Sequence, residues 1–86
     1  MAEWTVYILR SQASGQLYVG LTSDLARRLD YHNRGLSPWT RGKGPWEVVY
    51  AEAFVSRGEA ARRERQLKSW KSPRSLEPLI RGQRKT

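Results

Sequence analysis

The sequence predicts an α+β fold in which helices flank a three-stranded antiparallel sheet, in the order ββαβαα. Three observations support this prediction: a β-hairpin pattern near the N-terminus, a third strand-like run after a helix and a long loop, and two helical segments at the end. A chain of 86 residues is long enough for one domain with a single core. We expect this domain at residues 1–80 and a basic, disordered tail at residues 81–86.

The first two strands are predicted to form the hairpin. They cover residues 4–10 and 17–21, on either side of a turn-forming segment at residues 11–16. Side chains alternate between the two faces of a strand, so the apolar residues of the second strand share one face. Tyr18 and Gly20 therefore share the opposite face.

The first helix is predicted at residues 25–33, because the polar residues 22–24 before it include good N-cap side chains. Arg28 and His32 are four positions apart, so they lie side by side on this helix, next to an apolar stripe of leucines. Gly35 is the expected C-terminal stop of the helix.

Turn residues and caps predict the rest of the chain. Glycines and prolines in residues 34–45 favour a basic loop over a helix or a central strand. Ser56 and Glu59 have the spacing of a capping box, so a helix should begin behind Ser56. The predicted elements are a loop at residues 34–45, a strand at 46–54, a helix from Ser56 to about Trp70, and a short helix from Pro73 to about Ile80.

Composition limits the classes of function. The chain has 16 lysines and arginines against 8 aspartates and glutamates, which gives a net charge of +8 and a pI of about 10.6. A domain this basic attracts polyanions, so we expect nucleic acid as its partner. The chain has no cysteine and no run of the ~18 apolar residues that a membrane span needs. We therefore expect a cytoplasmic protein with no disulfide, no thiolate zinc site and no membrane partner.

Glu64 has an unusual place on the second predicted helix. It shares a helix face with Ala60 and Leu67, which should pack on the sheet, so its position is one where an apolar side chain is expected. A buried carboxylate must be paired or must bind a metal, because burying it alone is costly. A salt bridge to Arg28 or Lys68 is the structural alternative to a metal site.

These residues together resemble the GIY-YIG nuclease superfamily, in particular its small single-domain members, which are similar to the catalytic domain of bacterial excision-repair nucleases. The two motifs correspond to Thr5-Val6-Tyr7 and Tyr18-Val19-Gly20, and Arg28 has the family's spacing of eight residues after the glycine. The segment that ends at Glu64 looks like the family segment that ends in the metal-binding glutamate. The resemblance covers about residues 4–71.

The resemblance implies a role for each residue of a catalytic site. Tyr7 would act as the base for the attacking water, Tyr18 and Arg28 would hold the phosphate, and His32 would be a proton relay or a phosphate ligand. Glu64 would bind one Mg²⁺ or Mn²⁺ ion. The chemistry of the side chains agrees, because a guanidinium binds phosphate bidentately and a tyrosine with a pKa of ~10 needs nearby cations to act as a base.

The sequence departs from the family pattern at two places. The first motif lacks its leading glycine, and no asparagine follows Glu64, where many members have one. Asn33 lies on the first predicted helix and cannot replace that asparagine.

Further residues are expected to bind nucleic acid. In the basic loop, Trp39 suits stacking on unpaired bases, whereas Trp46 should begin the third strand and pack in the core. The expected nucleic-acid contacts are Trp39, Arg41, Lys43, Lys68 and Lys71.

The sequence therefore predicts a metal-dependent endonuclease that hydrolyses phosphodiester bonds in DNA, structure-selective or weakly specific, in DNA repair or recombination. Its DNA substrate would contain branched or single-stranded regions, and a protein partner could supply specificity. The alternative is a non-catalytic nucleic-acid-binding module that retains the nuclease fold.

Overall fold

A computed structural model describes residues 3–70 and 73–84 of the chain. The observed order is ββαβαα, so the predicted α+β class is confirmed. The elements are β1 (Trp4–Ser11), β2 (Leu17–Thr22), α1 (Leu25–Asn33), β3 (Trp46–Phe54), α2 (Arg57–Ser69) and α3 (Pro73–Arg84). Among the described residues, none of the helices has the length and apolar character needed to cross a membrane.

The three strands form one antiparallel sheet in the order β2-β1-β3. In the hairpin of β1 and β2, Tyr7 pairs with Gly20. On the other side of β1 the register with β3 shifts between Ile8 and Leu9, which marks a β-bulge. Because β1 is the central strand, the motif that contains Tyr7 lies in the middle of the sheet, whereas the motif that contains Gly20 lies on an edge strand.

The side chains of the sheet form two clusters on opposite faces, because Val6 and Ile8 alternate with Tyr7 and Leu9 along β1. Val6 and Ile8 pack against the apolar residues of α2 and α3, namely Ala60, Leu67, Leu76 and Ile80. Tyr7 and Leu9 pack against Trp46 and the leucines of α1. Burying each leucine or isoleucine contributes ~1.5–3 kcal/mol. One face of the sheet is thus covered by α1 and the other by α2 and α3.

The predicted helix caps are confirmed. The side chain of Asp24 accepts a hydrogen bond from the backbone N–H of Arg27 at 3.1 Å, and the Ser56 hydroxyl accepts one from the N–H of Glu59 at 3.1 Å. Gly35 has a φ of 75°, the left-handed conformation that ends α1. These caps fix where α1 and α2 begin, and therefore which of their residues face the sheet.

The C-terminal end of the chain differs from the prediction. The last helix was expected to end near Ile80, but α3 continues to Arg84, so residues 81–84 of the expected disordered tail are helical. The reason is that Ile80 is fully buried, and this anchors the last turn while the arginines that follow favour its continuation. Residues 85–86 of the expected tail lie outside the described residues.

Candidate active site

The ring of Tyr7 lies over Gly20 of the neighbouring strand. Tyr7 and Gly20 are paired in the register of the hairpin, and a Cβ atom at position 20 would overlap the ring and hydroxyl of Tyr7. Any other residue at this position would displace the phenol. The glycine of the second motif is therefore required by the close approach of the tyrosine of the first motif.

The Tyr7 hydroxyl begins a buried chain of hydrogen bonds. Its oxygen lies 3.0 Å from Nε2 of His32, and Nδ1 of His32 lies 2.9 Å from the hydroxyl oxygen of Thr40. All three residues are at most 3% exposed. The side chains come from β1, α1 and the loop after α1, so the packing of α1 on the sheet brings them together.

Burial changes the acid–base properties of this pair. Desolvation, followed by the neighbouring Tyr18, raises the pKa of Tyr7 far above its ordinary value, while the charge of Arg28 lowers it and that of Glu64 raises it. Desolvation, followed by the charge of Arg28, lowers the pKa of His32 below its ordinary value. At neutral pH the phenol and the imidazole are therefore both uncharged.

Tyr18 contacts the His32 ring, and Arg28 lies one helical turn before His32 on α1. The Tyr18 ring meets the His32 ring edge-on, with their centroids 4.9 Å apart, and it lies on the same face of the sheet as Tyr7. The guanidinium of Arg28 is exposed and lies 4.9 Å from the centroid of the Tyr31 ring. Tyr31 thus provides an aromatic surface that holds the Arg28 side chain at the mouth of the site.

Glu64 was expected at a buried position, and this expectation was wrong. Ala60 and Leu67 are fully buried as predicted, but the Glu64 side chain is 22% exposed. Its carboxylate lies 3.2 Å from Nζ of Lys68, one of the two partners considered above, whose side chain is 53% exposed. The physical reason is that Glu64 lines a cleft that is open to solvent, so the sheet does not cover this part of the inward face of α2.

This cleft brings together residues from opposite faces of the sheet. Arg28 comes from α1 on one face, whereas Glu64 and Arg57 come from α2 on the other, and all three line the cleft at the end of β2. Trp4 and residues 21–23 complete its wall. Two guanidinium groups and one carboxylate therefore border one polar space that is open to solvent.

The donor set of the cleft fits one oxygen-ligated cation. No group of three histidine, cysteine, aspartate or glutamate side chains gathers within residues 3–70 and 73–84 in a way that could hold a metal alone. Glu64 is the only carboxylate among the described residues that line the cleft. A single carboxylate with open space beside it suits Mg²⁺ or Mn²⁺, which keep several waters and share phosphate oxygens. Such a set does not suit zinc, which requires three or four protein ligands.

Sequence reasoning missed two residues of this region. Arg57 is the first residue of α2, and its guanidinium lies 5.5 Å from the centroid of the Trp4 ring. Thr40 belongs to the loop between α1 and β3 and contacts His32. Neither could be recognised beforehand, because a surface arginine and a loop threonine have no distinguishing sequence pattern.

The residues expected to bind nucleic acid differ in their surroundings. Trp39 is 73% exposed, while Trp46 begins β3 and is buried, as predicted for both. Arg41 is exposed and its Nε donates to the carbonyl oxygen of Gly35 at 3.1 Å, and Lys43 is exposed. Lys68 engages Glu64, and Lys71 lies outside the described residues.

Asn33 has a structural role. Its Oδ1 accepts from the N–H of Trp46 at 2.7 Å and its Nδ2 donates to the Trp46 carbonyl at 3.1 Å. Both ends of the amide are thus used to join the end of α1 to the start of β3. Asn33 does not replace the missing asparagine, as the sequence predicted.

The fold and the cleft define a small α+β domain of nuclease type, and comparison with known families agrees. Residues 3–77 match the family described as the GIY-YIG catalytic domain. The chain therefore belongs to the GIY-YIG family, and this membership implies a nuclease-type function with DNA as the substrate.

The chain is also similar to small bacterial proteins named UPF0213. It is 38% identical to a UPF0213 protein of Cronobacter sakazakii over 96% of this chain and 86% of that protein. A UPF0213 protein of Nitratidesulfovibrio vulgaris is 44% identical over 76% of this chain, but the match spans only 59% of that protein. The solution NMR structure of the UPF0213 protein BH0048 from Bacillus halodurans has a TM-score of 0.57 and 39% identity, covering 91% of this chain and 82% of that one.

Proposed function

We propose that this protein is a metal-dependent endonuclease that hydrolyses phosphodiester bonds in DNA. The observation that carries the proposal is that Arg28 and Glu64, from opposite faces of the sheet, line one cleft. The charges of both residues act on the buried Tyr7, which is hydrogen-bonded to His32. A phosphate-binding cation, a metal-binding carboxylate and a proton acceptor are the groups that this hydrolysis needs. When bound, one Mg²⁺ or Mn²⁺ ion at Glu64 supplies charge stabilisation to the phosphate oxygens.

Tyr7 is the proposed general base, and its contact with His32 explains how a neutral phenol could act. Because burial raises the pKa of Tyr7, its phenolate does not form in advance at neutral pH. Nε2 of His32 lies 3.0 Å from the Tyr7 oxygen, so the hydroxyl proton can move to the imidazole as Tyr7 accepts a proton from the attacking water. The two transfers together avoid a buried phenolate and leave the proton on His32. Because burial and Arg28 lower the pKa of His32, the imidazole would hold this proton only transiently and return it after the reaction.

Arg28 and Arg57 are the proposed contacts to the DNA backbone in the cleft. Arg28 would bind the scissile phosphate bidentately, with Tyr18 beside it to position the phosphate or the water. Arg57 would bind the neighbouring phosphate, because its guanidinium lines the same cleft and is held against the Trp4 ring. These backbone contacts carry no sequence information, which agrees with weak or structure-based specificity.

The loop after α1 supports a preference for DNA with unpaired bases. Trp39 is 73% exposed, and the exposed cations Arg41 and Lys43 follow it closely in the chain. An exposed aromatic ring beside cations stacks on bases that are not paired in a duplex. Branched or single-stranded regions of DNA are therefore the proposed substrates. Cleavage of such regions would serve DNA repair or recombination. A protein partner could direct the nuclease to its site.

The second candidate is a nucleic-acid-binding module without catalysis. Two observations favour it: residues 65–86 contain no asparagine, and Tyr7 is a weak acid at its buried position. This candidate keeps the basic surface and the cleft but makes no use of the carboxylate of Glu64.

Cleavage of duplex, branched and single-stranded DNA, measured with Mg²⁺, Mn²⁺ and a chelator, separates the two candidates. Glu64→Gln should abolish metal-dependent cleavage and leave DNA affinity level or higher, since a negative charge near the phosphate is removed. Glu59→Gln on the same helix is the matched control, because Glu59 does not line the cleft and its backbone N–H, which donates to the Ser56 cap, is kept. No cleavage by the parent protein under any of these conditions would reject the nuclease proposal. Cleavage that needs no metal, or that survives in Glu64→Gln, would reject Glu64 as the metal ligand.

The same variant also tests the stability of α2. The pair of Glu64 and Lys68 is partly exposed, so its loss should lower the free energy of unfolding by less than ~1 kcal/mol. A loss of ~3–5 kcal/mol is expected only where a buried ion pair is broken. A melting temperature close to that of the parent protein would therefore show that lost cleavage does not come from unfolding.

A further inference from the structure

Thr40 makes a buried contact with His32 that the proposed catalytic roles do not use. Its hydroxyl oxygen lies 2.9 Å from Nδ1 of His32, and Thr40 is 1% exposed. The other ring nitrogen, Nε2, faces the Tyr7 hydroxyl at 3.0 Å. The imidazole is therefore held between two hydroxyl groups, one on each nitrogen.

We propose that Thr40 is a positioning residue that keeps the proton of His32 on Nδ1, so that Nε2 is free to accept the hydroxyl proton of Tyr7. The position of this proton is a property of the folded protein and does not depend on the function proposed above. Its consequence for cleavage rests on that proposed function.

The backbone around Thr40 fixes the position of the hydroxyl. The Thr40 carbonyl accepts hydrogen bonds from Nε1 of Trp46 at 3.1 Å and from the N–H of Lys43 at 3.2 Å. Its own N–H donates to the carbonyl of Ser37 at 3.3 Å. A β-branched side chain on a backbone held in this way has few rotamers, so the hydroxyl stays directed at the imidazole.

Only one of the two neutral forms of His32 gives a working relay. With the proton on Nδ1, the imidazole donates to Thr40 and accepts from Tyr7, and both contacts are satisfied. With the proton on Nε2, the imidazole would donate to Tyr7 instead, and the phenol proton could not move to the ring. Either hydroxyl could donate or accept, but a phenol is a stronger hydrogen-bond donor than an aliphatic hydroxyl. Tyr7 should therefore donate to Nε2 and Thr40 should accept from Nδ1, which is the working form.

The immediate surroundings of His32 offer no competing partner for Nδ1. Within residues 3–70 and 73–84, the other groups packed against the ring are Tyr18 and Tyr31, whose rings meet it edge-on with centroids 4.9 and 5.7 Å away. The charged group that acts on it is Arg28, which carries no acceptor. The choice of tautomer is therefore left to Thr40 and Tyr7.

NMR spectroscopy of the ¹⁵N-labelled protein tests this directly, because His32 is the only histidine and long-range proton–nitrogen spectra show a single ring. In the parent protein at neutral pH, Nδ1 should have the shift of a protonated nitrogen and Nε2 that of an unprotonated one. Thr40→Val keeps the shape but removes the hydroxyl, and should move the proton to Nε2. Thr40→Ser should keep the parent pattern.

Ser37→Ala is the matched control, because it removes another buried hydroxyl of the same loop, and it should keep the parent pattern. A parent protein with the proton on Nε2 would overturn the proposal, as would a Thr40→Val variant with unchanged ring shifts. If Thr40→Val does not fold, the spectra of the parent protein and of Thr40→Ser still test the proposal. A proton on Nε2 in either of them would contradict it.

Cleavage kinetics separate this proposal from the proposed function. If both hold, Thr40→Val should lower kcat by ~10- to 100-fold with KM unchanged, the range known for the hydrogen-bond partners of metal-ligating histidines. Thr40→Ser should restore most of the rate. If Thr40→Val moves the proton to Nε2 but the parent protein cleaves no substrate, the assignment of Thr40 is supported and the nuclease proposal is rejected. Normal kcat in a Thr40→Val variant with a shifted tautomer would remove the relay from the mechanism.

Discussion

Gly20 leaves open the space that the ring of Tyr7 occupies. The two residues face each other across the hairpin, and a Cβ at position 20 would overlap the phenol. The glycine of one motif is therefore a condition for the position of the tyrosine of the other. The pairing of β1 with β2 therefore determines where the Tyr7 phenol lies in the site.

Gly20→Ala should displace Tyr7 and break its hydrogen bond with His32. We expect the free energy of unfolding to fall by ~1–3 kcal/mol, the usual cost of overpacking. Denaturant unfolding gives the value, and the ring shifts of His32 report the broken contact. Gly58→Ala is the control, because a Cβ there meets nothing and alanine should stabilise α2 by ~0.5–1 kcal/mol. Equal effects at both glycines would contradict the steric argument.

Arg28→Ala should reduce the cleavage rate much more than Arg27→Ala. Losing a charge-assisted phosphate contact made in the transition state costs roughly 30- to 1000-fold in rate. Arg28 is four residues before His32 on α1 and lines the cleft with Glu64, whereas Arg27 does not line that cleft. Single-turnover rates of the two variants provide the comparison, and small, equal losses would show that Arg28 does not contact the phosphate.

Arg57→Ala should weaken DNA binding more than it slows the chemical step. Its proposed contact is with a phosphate next to the scissile one, so KM or Kd should rise while the single-turnover rate at saturation stays close to that of the parent protein. Arg62→Ala is a suitable control, because Arg62 is also exposed on α2 but lies outside the cleft. The same small rise in Kd for both variants would remove Arg57 from the site.

DNA affinity should fall steeply as salt rises, because a protein with a net charge of +8 displaces counterions when it neutralises phosphates. Replacing Arg41 and Lys43 together by alanine should weaken binding and flatten the slope of log Kd against log salt. Fluorescence anisotropy at several salt concentrations measures both effects. An affinity that does not depend on salt would reject nucleic acid as the partner.

Stability should decrease as pH falls below about 6.5 because of His32. Burial lowers the pKa of this imidazole, so the folded state keeps it neutral while the unfolded chain takes up a proton. Its contribution is therefore present above the unfolded pKa and is lost at lower pH. Melting temperatures between pH 7 and about 5.5 test this, because His32 is the only histidine. His32→Gln should make the melting temperature depend less on pH. An unchanged dependence would assign the effect to other groups.

Much of the fold could be predicted because the relevant interactions are local. The alternation along β1 and β2, the caps at Asp24 and Ser56 and the glycine that ends α1 act between residues close in the chain. The end of α3 was predicted wrongly, because Ile80 is anchored by packing with distant residues. Of the predicted catalytic residues, the structure places Arg28 and Glu64 in one cleft and packs Tyr7, Tyr18 and His32 together beneath α1.

The sequence by itself determined the α+β order, the hairpin that pairs the two tyrosine motifs, and the placement of Arg28 next to His32. Only the tertiary structure decided that Glu64 is partly exposed beside Lys68, that Arg57 borders the cleft, and that the hydroxyl of Thr40 reaches Nδ1 of His32. The physical reason is distance along the chain: hydrogen bonds of caps and helical turns follow from spacing, whereas contacts across a sheet edge depend on how α1 and α2 pack on opposite faces.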